Sequence, residues 1–113
     1  MTAADRIAAV EALMARYNAQ DADGYADMMT ADACEAVYRG DVLRDGREGV
    51  RSGLATMFAE YPQNRADVLA TYAVGDHVVL HEKVSRSPEV APFEVISIYS
   101  FSGDKISRVE FVR

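Results

Sequence analysis

The stretch that most limits what this chain can fold into is its last, residues 92–113. The first arm is Pro92-Phe93-Glu94-Val95-Ile96-Ser97-Ile98-Tyr99-Ser100-Phe101. The second is Lys105-Ile106-Ser107-Arg108-Val109-Glu110-Phe111-Val112-Arg113. Both arms are rich in β-branched and aromatic residues, which favour a pleated, packed surface. Ser102-Gly103-Asp104 between them is a turn sequence, so the arms read as an antiparallel hairpin. The first arm is apolar on both faces, and a strand of that kind needs cover on both. The expectation is the middle of a curved sheet, with helices on its concave side and a second subunit on the other.

The N-terminal half supplies the helices. Thr2 followed by Asp5 reads as a capping box, and Ile7, Val10, Leu13, Met14 and Tyr17 then recur at helical spacing to about Asn18. Asp21-Ala22-Asp23-Gly24 breaks that helix and caps a shorter one, with Tyr25, Met28 and Met29 on its apolar face and Thr30-Ala31-Asp32 at its end. Residues 33–38 read as a short strand, Gly40-Asp41 as a turn, and Val42-Leu43-Arg44 as a returning strand. Asp45 with Glu48 is a second capping signature, and Val50, Leu54, Met57, Phe58 and Tyr61 form one helical face that Pro62 stops. Gly49 and Gly53 inside this third helix each cost up to about 1 kcal/mol relative to Ala, and close approach of the sheet is a reason to keep them. From Arg65 the period changes to two. Gly75-Asp76 is a turn, His77 to Arg86 another strand, and residues 87–92 a loop.

Strands joined by short turns pair antiparallel, and helices gathered toward one end of the chain give an α+β fold. At 113 residues, half of them apolar, the chain makes one domain, 1–113, with a core that needs no metal or disulfide staple. Acidic residues outnumber basic ones 18 to 12, for a net charge of −6. That balance excludes nucleic acid and anionic membranes as primary partners, because phosphate contacts need a basic face. One cysteine, Cys34, permits no intrachain disulfide and suits a reducing compartment. With no signal-peptide pattern and no run of roughly 20 apolar residues, the expected location is the cytoplasm.

The order of elements resembles the cone-shaped fold of the NTF2-like superfamily, which includes SnoaL-like polyketide cyclases, ketosteroid isomerases and limonene epoxide hydrolases. Leu13-Met14-Ala15-Arg16-Tyr17, Met28-Met29-Thr30-Ala31-Asp32-Ala33, Gly46-Arg47-Glu48-Gly49-Val50 and Gly103-Asp104-Lys105-Ile106 carry the likeness, which covers nearly the whole chain. The resemblance implies a curved antiparallel sheet wrapped around the N-terminal helices, a cystatin-like roll. It also implies a homodimer through the convex sheet face, with Ile96, Ile98, Ile106 and Val112 as outward candidates. In ketosteroid isomerases the tyrosine matched by Tyr17 donates a hydrogen bond to a developing enolate oxygen. The places of that family's acid and base carboxylates fall at Ser97 and Val37. Against the Glu-Arg-x-Asp run of the epoxide hydrolases the chain has Glu82-Lys83-Val84-Ser85, with Phe111 where the partner carboxylate stands.

The resemblance orients Val79, His81, Lys83, Phe93, Val95, Ser97, Tyr99, Val109 and Phe111 into the cone, an all-or-none matter because a slip of one residue turns a strand inside out. His81 then becomes the candidate proton carrier, with Lys83 favouring its neutral imidazole, and Tyr17 the oxyanion donor. The plain alternatives are a histidine bonded to a backbone carbonyl and a tyrosine packed in the core. Met14, Met57 and Tyr38 join the candidate lining, although helix faces filling a core are the favoured account of the methionines. No metal pattern is present, since His81-Glu82 does not extend to His-Glu-x-x-His, and no cofactor is expected. The implied function is binding of a small hydrophobic or cyclic molecule, with isomerase, cyclase or hydrolase chemistry. The alternative is a non-catalytic binding or dimerisation module on the same fold.

Overall fold

A computed structural model describes Met1–Arg113. The chain runs α1 (Ala3–Asn18), α2 (Ala22–Asp27), β1 (Met29–Val37), β2 (Val42–Asp45), α3 (Gly46–Glu60), β3 (Arg65–Val74), β4 (His77–Ser85), β5 (Phe93–Ser102) and β6 (Lys105–Val112). Six strands form one sheet in the order β2-β1-β6-β5-β4-β3. All neighbours are antiparallel except β1 and β6, which run parallel, so the sheet is mixed. The closing hairpin does occupy the centre: β5 and β6 each have a neighbour on both sides.

α1 opens with the expected capping box, Thr2 Oγ1 accepting from the Asp5 amide and Asp5 accepting from the Thr2 amide at 2.9 Å. Its face of Val10, Leu13 and Met14 is buried with Tyr25 of α2 and Val50, Leu54 and Phe58 of α3 against the inner side of the sheet. Each such leucine contributes roughly 1.5–3 kcal/mol by leaving water. α1 lies against β3 and β4, and α3 against β1 and β2. No helix is long and apolar enough to cross a membrane.

Three local expectations change. α2 stops at Asp27, and Met29 with Thr30-Ala31-Asp32 belongs to β1, where Met29 pairs with Ile106. Spacing alone does not separate the end of a short helix from the start of a buried strand. The second capping box does not form: the Asp45 side chain makes no capping bond, and the Glu48 carboxylate that would reach back to it is taken by Arg51 at 3.1 Å. Ile106 is not outward: it is 1% exposed and lies in the core. A register shift between Ser100 and Phe101 resets which residues of the hairpin face inward.

Candidate functional site

Between the helices and the concave side of the sheet lies a cavity of about 340 Å³. α1 contributes Met14 and Tyr17, α2 Tyr25, and α3 Leu54 and Met57. The sheet contributes Glu35, Glu82, Val84, Val95, Ser97, Tyr99 and Phe111. Val37, Leu43 and Arg113 stand at the exposed rim, with the half-buried Phe93, Arg44 and Arg86 beside them. The walls are largely apolar with a few polar groups, the composition of small-molecule sites.

Several residues expected in the cone line this cavity: Met14, Tyr17, Met57, Phe93, Val95, Ser97, Tyr99 and Phe111. Val109 points inward but is sealed in the core beside it. Tyr38 does not reach the cavity; it follows the end of β1, 47% exposed, and Val37 lines the rim instead.

On β4 the register differs from expectation by one residue. Val78, Leu80, Glu82 and Val84 are buried and pair with Tyr99, Ser97, Val95 and Phe93 on the inner face. Val79, His81 and Lys83 therefore turn to the outer face. His81 Nε2 lies 2.6 Å from Glu94 Oε1 there, its side chain 37% exposed, and shares no hollow with Tyr17. The physical reason is burial. Turning His81 and Lys83 inward would have exposed Leu80 and Val84 while covering two polar side chains.

This register brings in a residue that the sequence reading missed as a site candidate, Glu82. A carboxylate interrupting the apolar series Val78, Leu80, Val84 was the available signal. Glu82 is 3% exposed and makes no ion pair. Burial pushes its carboxyl above the ordinary value near 4.5, and the Ser97 and Tyr99 hydroxyls only partly oppose that.

Glu35, the second carboxylate, is 1% exposed and sits in a different setting. It accepts from the Tyr25 hydroxyl at 2.8 Å and from Arg44 Nη1 at 2.5 Å. Burial, then the Glu35 charge, drives the Tyr25 phenol well above its usual range. Tyr99 is pushed the same way by burial, then by the charges of Glu82 and Glu35, so its phenol lies within the field of both carboxylates. Its hydroxyl donates weakly to Met14 Sδ at 3.5 Å. Tyr17 is held between the Tyr25 and Phe58 rings, and its hydroxyl oxygen accepts from Arg86 Nη1 at 3.3 Å. That bond occupies the phenol oxygen and leaves its proton free to be donated into the cavity.

A family model described as a SnoaL-like domain matches residues 10–109. Among solved structures, the chain is similar to an uncharacterized cystatin-fold protein from Novosphingobium aromaticivorans, with 53% identity and a TM-score of 0.91 over 95% of this chain and 97% of the other. It is also similar to a candidate polyketide cyclase from Sinorhizobium meliloti, with 18% identity and a TM-score of 0.80 over 99% and 100% of the two chains. An NTF2-like protein from Cytophaga hutchinsonii is similar at 12% identity, with a TM-score of 0.79 over 99% and 91%. The last two likenesses are of fold alone. No curated protein matches this sequence.

Proposed function

The chain belongs to the SnoaL-like domain family, and from that premise we propose that its cavity binds a small hydrophobic, cyclic molecule and that Glu82 moves a proton on it. The observation that carries this reading is the contrast between the two buried carboxylates. Glu35 is committed to Tyr25 and Arg44, whereas Glu82 lines the same cavity with no cation beside it. A carboxyl whose affinity for protons is raised toward the working pH is suited to general acid–base catalysis.

The reaction class that fits is proton transfer next to a carbonyl, as in an isomerisation or a cyclisation. The Glu82 carboxylate takes a proton from the carbon beside the carbonyl. The electron pair moves onto the carbonyl oxygen, where the Tyr17 phenol, braced by Arg86, donates a hydrogen bond. The Glu82 carboxyl then returns the proton to carbon. No cofactor enters this sequence. His81, on the outer face, takes no part.

The outer face supports a homodimer. Tyr72, Val79 and Ile98 lie in one row across β3, β4 and β5, and Ile96 and Val112 are partners in the next. Tyr72 is 64% exposed in the single chain, which leaves apolar area for a second copy to cover. A single domain over residues 1–113 in the cytoplasm completes the reading.

The test is hydrogen–deuterium exchange of α-tetralone in D2O, followed by NMR. The intact protein is expected to accelerate exchange of the protons beside the carbonyl. Glu82→Gln should lower that acceleration by about 10²-fold or more and Tyr17→Phe by about tenfold or more, with His81→Ala unchanged. No acceleration, or equal rates in wild type and Glu82→Gln, would overturn the proton-transfer reading.

A further inference from the structure

Resting on the reading that this cavity takes a small ligand, we propose that the ligand is an organic anion, with its charged end held at the rim by Arg86 and Arg113 around the Phe93 ring.

Most guanidinium groups in this acidic chain already have a carboxylate. Arg6 pairs with Asp76, Arg44 with Glu35, Arg65 with Asp67 and Arg108 with Glu110, while Arg51 holds Asp23, Asp27 and Glu48 together. Arg39, Arg86 and Arg113 have none, and of these Arg86 and Arg113 line the cavity. The acceptors of Arg86 are all neutral: Asn64 Oδ1 at 2.8 Å, the Tyr17 hydroxyl at 3.3 Å and Met57 Sδ at 3.5 Å. Glu60 and Glu89 share a neighbouring cleft with Arg86 but make no ion pair with it. With acidic side chains outnumbering basic ones 18 to 12, two cations without carboxylates on one rim mark a place that an anion fills.

Phe93 gathers the two groups. The Arg86 and Arg113 guanidinium carbons lie 5.3 and 4.0 Å from its ring centre, within cation–π range. A planar guanidinium matches the two oxygens of a carboxylate better than any other cationic side chain does. Glu82 is set deeper on the same strand face, two residues along β4 from Val84, the partner of Phe93, and a second negative group beside it would meet a carboxyl that burial already keeps from ionising readily. The ligand is thereby oriented, its apolar ring toward Glu82 and its charge toward the rim.

Calorimetric titration of the intact protein with 2-naphthoate and with its uncharged counterpart 2-naphthamide tests this. Naphthoate is expected to bind about tenfold tighter, the scale of a charge-assisted hydrogen bond. Arg86→Gln and Arg113→Gln should each remove most of that preference, weakening naphthoate more than naphthamide. Arg86 also braces Tyr17 and Asn64, so the exposed Arg113 carries the test alone where Arg86→Gln unfolds. Equal affinity for the two probes, or variants that weaken both alike, would overturn the anion assignment and leave the cavity reading standing. Binding of neither probe would remove both.

Discussion

Two glutamates of one type, on one sheet, reach different states because their neighbours differ. Glu35 is neutralised by Arg44 and bonded by Tyr25, so removing Arg44 would strand a buried charge at a cost of roughly 3–5 kcal/mol. Glu82 has only hydroxyls near it, and burial favours its protonated form. The folded chain therefore holds this proton more tightly than the unfolded chain does. The stability that Glu82 contributes is fully present below the ordinary value near 4.5 and is lost as pH rises through the higher native value. Glu82→Gln mimics the protonated acid at every pH. Its melting temperature relative to wild type should rise with pH across that window, measured by circular dichroism at matched ionic strength. A difference that stays flat, or shrinks as pH rises, would refute the burial of this carboxyl.

At the scale of elements, Gly53 joins helix, sheet and site. A Cβ at this position of α3 would come within 2.7 Å of Arg44 Cδ and Nε, the side chain that β2 sends to Glu35. Helix propensity alone makes Gly→Ala worth about 1 kcal/mol of gain. The close approach reverses the sign, so Gly53→Ala is expected to destabilise the protein in urea unfolding, and Arg44→Ala should relieve that penalty. A gain of about 1 kcal/mol in Gly53→Ala would contradict the packing. The sequence pointed to close approach here from the glycines but not to the partner, because the side chain that fills the space comes from another element. The same limit explains β4. Its residues Val78, Val79 and Leu80 are apolar in both phases, and only Leu80 and Val84 against His81 and Lys83 decide the face. Family likeness aligned the polar triplet His81-Glu82-Lys83 one residue out of phase. On β5, apolar residues fill both phases, yet the expected inner set Phe93, Val95, Ser97 and Tyr99 lines the cavity. Element order and the central hairpin were legible because they follow from local periods and turns. The parallel pairing of β1 with β6 was not, because it joins segments that are distant in the chain.

For the whole molecule, one sheet serves two surfaces. The concave side holds the cavity, and the convex side carries Tyr72, Val79, Ile96, Ile98 and Val112 in adjoining rows. The proposed cover by a second copy would account for a central strand β5 that is apolar in both phases. Light scattering is expected to give twice the chain mass of 12.4 kDa, and Ile98→Glu to give the single mass. A monomer in wild type at micromolar concentration would end the dimer proposal. The cavity is formed by one chain, so Ile98→Glu should still bind 2-naphthoate.

The claim on which the rest depends is that Glu82 is an unpaired carboxyl inside the cavity. Its titration can be followed directly by the side-chain carbonyl carbon in 13C NMR, with Glu82→Gln assigning the signal. The expected midpoint lies above the ordinary value near 4.5, and the signal is expected to shift when 2-naphthoate is added. A midpoint at or below 4.5, with no response to the probe, would contradict it.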